Sequence, residues 1–221
     1  MSRAPIVVDE KELPRAAAGM LAQALKDVLA SQPRCSFATS GGGTPGPIHR
    51  VLATLDVPWE RVDFFFVDER CVPPDSPDSN YRLARETLLQ AVGATDAQVF
   101  RMEGERTDFD AAARDYEARL PPALDVVLIG LGEDGHTASL FPGHPALEEK
   151  TRRVLSVVGP KPPPQRLTLT LPALLSARSV LGVTQGAGKR EALRQVFAGG
   201  NVPAALVTNA LWMVDRAAAG P

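Results

Sequence analysis

Hydrophobic positions in this 221-residue chain alternate between helical stripes and short, uniformly apolar runs. From Leu13 to Leu29 apolar residues recur every three or four positions, which predicts an amphipathic helix. The run from Val62 to Val67 is too uniformly apolar for a half-exposed strand and is typical of a parallel sheet covered on both faces. Because strand and helix signals alternate without an internal repeat, we predict an α/β fold. It would be a single domain, residues 1–221, with a doubly wound, largely parallel sheet and helices on both faces.

The remaining elements follow from shorter signals of the same kinds. We expect helices over about residues 48–55, 82–90 and 110–119. A further helix is expected in KREALRQVF, and helix-starting character from Thr137 onward. Strands are predicted in CSFAT, DVVLIGL, RVLSVV, RLTLTL, SVLGVT and AALV, with a weak one over residues 99–102.

Composition excludes several classes of protein. A net charge of −2 gives no basic field, so no nucleic-acid partner is indicated. Two cysteines, Cys35 and Cys71, argue against a disulfide scaffold and suit a reducing compartment. No apolar run approaches the roughly 20 residues of a spanning helix, and charge appears too early for a signal peptide. We therefore expect a soluble cytoplasmic protein with no membrane contact, as a monomer or weak homodimer.

Four unusual loops each follow a predicted strand directly: SGGGTPG, VDER, GEDGH and GAGK. Parallel strands end at the same rim of a sheet, and ligands of open α/β folds bind at that rim. The pattern predicts that all four loops contribute to one site.

The loop SGGGTPG formally satisfies the dinucleotide-binding pattern G-x-G-x-x-G, with Asp68 about 20 residues further on as the acidic partner. However, Pro45 and Pro47 flank the third glycine, where the dinucleotide pattern needs a helix interior. Proline instead marks the start of a helix, with Ser40 or Thr44 as its cap. Free backbone amides at such a start bind a phosphate monoester; a tight turn with a cap is the alternative. The candidate phosphate-binding residues are Ser40, Gly41, Gly42, Gly43 and Thr44.

Two basic residues, Lys189 and Arg166, are further candidates for binding an anion. GAGK is not a Walker A loop, because position 183 is Val and position 190 is Arg. Lys189 would still begin a helix, either pointing its ammonium at an anion or remaining a solvated surface lysine. Three prolines precede Arg166 and are expected to hold the approach to its strand extended, presenting the guanidinium at the first strand position. Arg166, Lys189 and the loop amides together could bind a dianionic phosphate.

The motif VDER brings two acids and an arginine to the end of a buried strand. An acid beside Arg70 is expected to remain a carboxylate, so Asp68 would serve as an anchor or a base. The alternative is a structural ion pair at the edge of the sheet.

His136 follows the strongest predicted strand, in a turn framed by Gly132 and Gly135 that would let the backbone approach a ligand. Asp134 could orient its ring. Histidine titrates near neutral pH, so this residue is a candidate general base.

The sequence lacks the residue patterns that metal-dependent catalysis and serine-nucleophile catalysis need. His49 and His144 make no metal-ligand spacing with His136, and no G-x-S-x-G nucleophile motif is present. The residues therefore predict an enzyme that binds a phosphate ester and uses a histidine base, without a metal or a covalent nucleophile.

Seven segments in order from Ser40 to Ala219 resemble the 6-phosphogluconolactonase family, which is related to glucosamine-6-phosphate deaminase. They are SGGGTP, FFFVDER, DSNY, LIGLGEDGHTASLFPG, KPPPQRLTLTLPAL, GAGK and PAALV…LWMVDRAAA. The resemblance implies hydrolysis of 6-phospho-D-glucono-1,5-lactone to 6-phosphogluconate, in the oxidative pentose phosphate pathway, without a cofactor.

Roles for individual residues also follow from the resemblance. His136 would activate water and return the proton to the ring oxygen. The SGGGT loop, Arg166 and Lys189 would hold the 6-phosphate, and Asp68 and Arg70 would bind or polarise the sugar. Either Arg70 or the backbone amides of residues 132–135 would stabilise the oxyanion.

Three alternatives remain open at this point. A deaminase or isomerase of the related branch would carry an Asn-Glu-Pro stretch after the histidine, whereas this chain has Leu140, Phe141 and Pro142. A sugar-phosphate-binding regulator would not need His136. A dinucleotide-dependent oxidoreductase would leave Arg166 and the HTASLFP segment unexplained.

Overall fold

The structure is a computed structural model that describes residues 4–220. Nine strands lie within these residues: β1 Ile6–Val8, β2 Cys35–Thr39, β3 Val62–Phe66, β4 Asp68–Arg70, β5 Val126–Gly130, β6 Val154–Val158, β7 Gln165–Leu169, β8 Ser179–Thr184 and β9 Ala210–Asp215. The same residues form eight α-helices: α1 Leu13–Leu29, α2 Pro45–Leu52, α3 Asn80–Ala84, α4 Phe109–Arg119, α5 Leu171–Leu175, α6 Arg190–Ala198, α7 Pro203–Leu206 and α8 Arg216–Ala219. A π-helical turn, Arg85–Leu89, continues α3.

Six strands form the central sheet in the order β1-β9-β8-β5-β2-β3, and every pairing in it is parallel. All five residues of β2 are buried, as expected for a strand covered on both faces. The predicted doubly wound α/β class, with a mostly parallel sheet and helices, is confirmed. Strands β8, β5, β2 and β3 are neighbours, so the four loops identified in the sequence leave adjacent strand ends. From β2 the chain moves to β3 on one side and later returns to β5 on the other, which opens a crevice between β2 and β5.

A second, three-stranded sheet in the order β4-β7-β6 was not predicted. Its pairings are antiparallel, so the segments RVLSVV and RLTLTL form a hairpin outside the main sheet. The chain reaches this sheet directly from β3: Val67 donates a hydrogen bond to Thr39 of the central sheet and accepts one from Leu169 of the second sheet. The motif VDER therefore lies where the two sheets meet.

Several local predictions were wrong. Residues 204–206 belong to helix α7, because a proline at position 203 starts a helix; Val207 caps it, and the strand follows as β9. Residues 99–102 make only a single bridge, between Val99 and Phe64, since the side chain of Gln98 donates to carbonyls beside that edge. No helix begins at Thr137; the chain instead makes a tight turn closed by Leu140 N and Thr137 O.

Two helices begin at other residues than predicted. Helix α2 begins at Pro45, three residues earlier than predicted, which brings the glycine loop directly to its N-terminus. Helix α3 begins at Asn80, because the Ser79 side chain accepts a hydrogen bond from Arg82 N. Within residues 4–220 no helix has both the length and the apolar character required to cross a bilayer.

Candidate active site

A pocket of about 200 Å³ opens at the carboxyl ends of β2, β3, β5 and β8. Each predicted site residue lines it except Asp134, which instead contacts His136. The structure therefore brings the four sequence loops together as expected and adds β7 of the second sheet. The lining residues are Ser40, Gly41, Gly42, Gly43, Thr44, Pro45, Asp68, Arg70, Asn80, Gly130, Leu131, Gly132, His136, Thr137, Ala138, Arg166 and Lys189.

The glycine loop presents backbone amides to this pocket. The N–H groups of Gly41, Gly42 and Gly43 donate no hydrogen bond to another residue within 4–220, so they are available to an anion. Helix α2 starts immediately after them, with its positive end toward the pocket. Thr44 occupies the cap position, but its side chain makes no capping hydrogen bond, so the capping part of the prediction was wrong.

Two arginines lie directly opposite each other on neighbouring strands of the second sheet. Arg70 of β4 pairs with Arg166 of β7, and both line the pocket. The hydrogen bonds from Cys71 to Gln165 and from Leu169 to Val67 fall on the alternate pairs, so the arginines form a non-hydrogen-bonded pair, the type with the closest side chains. Like charges placed directly opposite each other are destabilising, so an anion bound near either arginine would relieve the repulsion.

Burial and the neighbouring charge of Arg70 hold the pKa of Arg166 below its usual value, while nearby acids oppose the shift. The proline segment that precedes Arg166 folds back into a bend closed by Gly159 N and Pro164 O, so the expected extended approach was wrong. This bend holds the guanidinium instead, because Arg166 Nε donates to Pro163 O at 2.8 Å. Arg166 is the second residue of its strand rather than the first.

Lys189 ends a short 3-10 turn, Ala187–Lys189, directly before helix α6. It lines the same pocket as the two arginines, so the expectation that GAGK would present a lysine to the common rim is met. Three cations and a set of free amides thus meet at one pocket, which can bind a dianion.

His136 lines the same pocket from the predicted turn. Its Nδ1 is hydrogen-bonded to Asp134 Oδ1. Because a carboxylate only accepts, the ring carries its proton on Nδ1 and leaves Nε2 as the basic nitrogen. Burial raises the pKa of Asp134, but the hydrogen bond and charge of His136, together with Lys161, bring it below its usual value. The ring also packs against Phe141, with 4.9 Å between centroids.

Gly132 makes room for this ring. A Cβ at that position would lie 2.0 Å from His136 Nδ1 and 2.5 Å from Asp134 Oδ1. Two amides of the turn are already used, since Gly132 N donates to His136 O and Gly135 N donates to Gly132 O. They are not free to stabilise an oxyanion.

Asp68 makes no ion pair with Arg70 within residues 4–220, so the edge ion pair considered from the sequence is not formed. Instead, its buried carboxylate accepts a hydrogen bond from Asn80 Nδ2 on Oδ1, at 3.1 Å, and one from Ser139 Oγ on Oδ2, at 2.7 Å. Arg70 donates to the carbonyl of Asp78.

Sequence reasoning missed Asn80 and Ser139 as individual residues, although both lie in segments that carried the family resemblance. The available signal in the sequence was an asparagine between a serine and an aromatic residue, in the segment DSNY. Three buried polar atoms around the pocket have no hydrogen-bond partner among residues 4–220: Ser40 Oγ, Arg70 Nε and Asn80 Oδ1.

His49 is buried outside the pocket and has a structural role. Thr87 Oγ1 gives its hydrogen to Leu83 O, so it must accept from His49 Nδ1, and His49 Nε2 then accepts from Thr39. Burial, with a smaller contribution from Arg50, lowers the pKa of His49 to about 4. Across residues 4–220, no three His, Cys, Asp or Glu side chains gather closely enough to hold a metal ion.

The fold and the pocket define an α/β protein with an anion-binding site beside a histidine, and comparison with known proteins identifies the family. The family model described as "Glucosamine-6-phosphate isomerases/6-phosphogluconolactonase" matches residues 8–214. The chain belongs to this family, so the resemblance seen in the sequence is confirmed.

Individual relatives agree with this assignment. The chain is 42% identical over 180 residues to the 6-phosphogluconolactonase of Synechocystis sp., covering 77% of this chain and 74% of that protein. The solved structure of 6-phosphogluconolactonase from Trypanosoma brucei is 29% identical, with a TM-score of 0.84 and 98% of each chain covered. A monomeric glucosamine-6-phosphate deaminase has a TM-score of 0.87 at 22% identity, covering 98% of this chain and 99% of that one, and shows the fold alone.

Proposed function

We propose that the protein hydrolyses 6-phospho-D-glucono-1,5-lactone to 6-phospho-D-gluconate, the lactonase step of the oxidative pentose phosphate pathway. The observation that carries the proposal is a single pocket lined by three cations, by free amides and by His136, whose ring is hydrogen-bonded to Asp134. An anchor for a phosphate and a base for the reaction are therefore parts of one pocket. The names of the relatives support the same substrate. The cytoplasmic location and the monomeric or weakly dimeric state stay predictions.

The phosphate group would bind at the cationic end. Arg166 and Lys189 would neutralise its two charges, and the amides of Gly41, Gly42 and Gly43 would donate to its oxygens. Binding energy from this remote group would position the lactone carbonyl for attack.

His136 would act as the general base. Water attacks the carbonyl carbon while Nε2 accepts its proton, and Asp134 stabilises the imidazolium through Nδ1. The tetrahedral intermediate then collapses, the bond to the ring oxygen breaks, and the imidazolium returns the proton to that oxygen. No covalent enzyme intermediate is needed.

The oxyanion requires a donor, and we favour Arg70 over the turn amides of Gly132 and Gly135. The amides of Gly132 and Gly135 are already bonded within the turn, whereas Arg70 lines the pocket and its Nε has no partner among residues 4–220. Asp68 would serve as a fixed acceptor for a sugar hydroxyl, because its carboxylate is held on both oxygens at the pocket wall.

The deciding assay follows the loss of freshly generated 6-phosphogluconolactone over seconds, since this lactone also hydrolyses unaided. We expect a rate well above buffer, and His136→Ala should lower kcat by about 10² to 10⁴, the usual loss on removing a general base. Folded wild-type protein that gives only the buffer rate would refute the proposed function. Glucosamine 6-phosphate, tested for ammonia release, serves as the control substrate for the deaminase alternative.

A further inference from the structure

The carboxylate of Asp68 connects three of the pocket's segments. Its Oδ2 accepts from Ser139, which belongs to the His136 turn, and its Oδ1 accepts from Asn80, which begins helix α3. Asp68, Asn80 and Ser139 are each nine-tenths or more buried. Such a buried network fixes the groups that it joins, because breaking one bond leaves a polar atom unsatisfied.

Ser139 holds the end of the turn that carries His136. Its backbone N–H donates to Thr168 Oγ1 at 3.1 Å and its hydroxyl donates to Asp68 at 2.7 Å, so both of its donors are anchored to the second sheet. The preceding residue, Ala138, has a φ of 50°. A non-glycine residue in this left-handed region costs on the order of 1 kcal/mol and persists only where its surroundings enforce it. On the other side, Thr137 Oγ1 donates to Gly130 O.

Asn80 performs the corresponding task for the glycine loop. Its Nδ2 donates both to the carbonyl and to the carboxylate of Asp68, at 2.8 and 3.1 Å. This orientation places Oδ1 against the loop, 1.8 Å from where a Cβ on Gly41 would lie. Glu69 fixes the backbone of Asn80, since its Oε1 accepts from Asn80 N at 2.7 Å. The loop therefore rests on a side chain that Asp68 orients.

We propose that Ser139 and Asn80 are positioning residues for the reaction and that Asp68 anchors both. Ser139 would fix the base, His136, and Asn80 would fix the glycine loop that binds the phosphate. This inference rests on the proposed lactonase function and assigns a different effect to each oxygen of the Asp68 carboxylate. The contact of Oδ2 with Ser139 would affect kcat, and the contact of Oδ1 with Asn80 would affect the affinity for phosphate.

The test separates these two parameters. Ser139→Ala should lower kcat about tenfold, with KM changed less than about twofold, because a shift of a fraction of an ångström at a catalytic base costs part of the 10² that a full ångström costs. Asn80→Ala should raise KM for the phosphorylated lactone about tenfold, the equivalent of one lost hydrogen bond, with kcat little changed. The dissociation constant of inorganic phosphate, measured by calorimetry, should rise in Asn80→Ala alone.

Two matched variants control for general destabilisation. Ser36→Ala removes another buried serine–aspartate bond, Ser36 Oγ to Asp125 Oδ2 at 2.8 Å, at the amino ends of β2 and β5. Asn209→Ala removes an asparagine that donates to three backbone carbonyls outside the pocket. Both should lower the melting temperature and leave kcat and KM unchanged.

Ala138→Gly keeps the inference testable if Ser139→Ala folds poorly. Glycine relieves the left-handed backbone, so the melting temperature should hold or rise while kcat falls. The inference is overturned if Ser139→Ala and Asn80→Ala match their controls in kcat and KM, or if both change the same parameter. A wild-type protein without lactonase activity would refute the proposed function instead, and the phosphate measurement would still judge the role of Asn80.

Discussion

A methyl group added at Gly132 tests whether the position of the His136 ring sets the rate. The backbone of Gly132 lies outside the left-handed region, so alanine is tolerated there in conformation. Its Cβ, however, would lie 2.0 Å from His136 Nδ1 and 2.2 Å from Cε1. An ordinary van der Waals contact begins at 3.4 Å, so the ring has to move by more than about 1 Å.

A displacement of this size is expected to lower the rate of the catalysed reaction. Misplacing a catalytic group by about 1 Å costs on the order of 10² in rate, or about 2.7 kcal/mol of barrier. The same Cβ lies 2.5 Å from Asp134 Oδ1, so the partner of the ring is displaced as well. We therefore expect Gly132→Ala to lower kcat about 100-fold while KM, set by the phosphate end of the pocket, changes less than about threefold.

The assay is lactone hydrolysis followed by stopped-flow, beside a thermal melt of each variant. Gly19→Ala is the matched control, because Gly19 lies in helix α1 with no atom within 4 Å of an added Cβ. It should keep wild-type kinetics. Wild-type kcat in a folded Gly132→Ala protein would show that the ring position does not limit the reaction and would remove His136 as the proposed base.

Two further predictions concern charge. The pKa of His49 is about 4 in the fold against 6.5 unfolded, so below pH 6.5 the unfolded chain binds a proton that the folded chain does not. The contribution of His49 to the free energy of unfolding is therefore complete above pH 6.5 and is lost as the pH falls toward 4. Because of this group, the free energy of unfolding in urea should be about 2 kcal/mol lower at pH 5 than at pH 7, and the His49→Asn variant should lack this difference. A variant with the same pH dependence as the wild type would contradict a buried neutral histidine. Arg166→Met should raise KM for the phosphorylated lactone about 10- to 100-fold, as expected on losing a charge-assisted hydrogen bond, and leave unphosphorylated gluconolactone unaffected. Arg194→Met, on the exposed part of helix α6, is its control, and equal losses on both lactones would show that Arg166 does not bind the phosphate.

Much of the pocket could be predicted because its chemistry follows strand ends. Uniformly apolar runs identified β3 and β5, and the loops after them had to reach one rim once the sheet was parallel. The positions of the glycine loop, Lys189 and His136 directly after strands therefore predict that the three lie together. Local sequence alone was enough for that step.

The second sheet could not be predicted in the same way. Whether a strand pairs parallel or antiparallel depends on partners far along the chain, and RVLSVV and RLTLTL carry no local mark of direction. The pairing of Arg70 with Arg166 is a matter of register, which only the folded β4–β7 ladder defines. Asp68 and Arg70 are two residues apart in β4, so both lie on one face of the strand. Ser139 and Asn80 were missed because their roles lie in contacts across long sequence separations.

The surroundings of His136 also bear on the choice between hydrolysis and ring opening. Where the deaminase branch is expected to supply an acid, this chain places Leu140 and Phe141, and both are buried. The Phe141 ring packs directly over Gly159, where an added Cβ would lie 2.5 Å from it. Among residues 4–220, the carboxylates at the pocket are thus Asp68 in its wall and Asp134 behind the imidazole. An imidazole with an apolar side and one supporting carboxylate is suited to take a proton from water and return it to a leaving oxygen, which is what lactone hydrolysis requires.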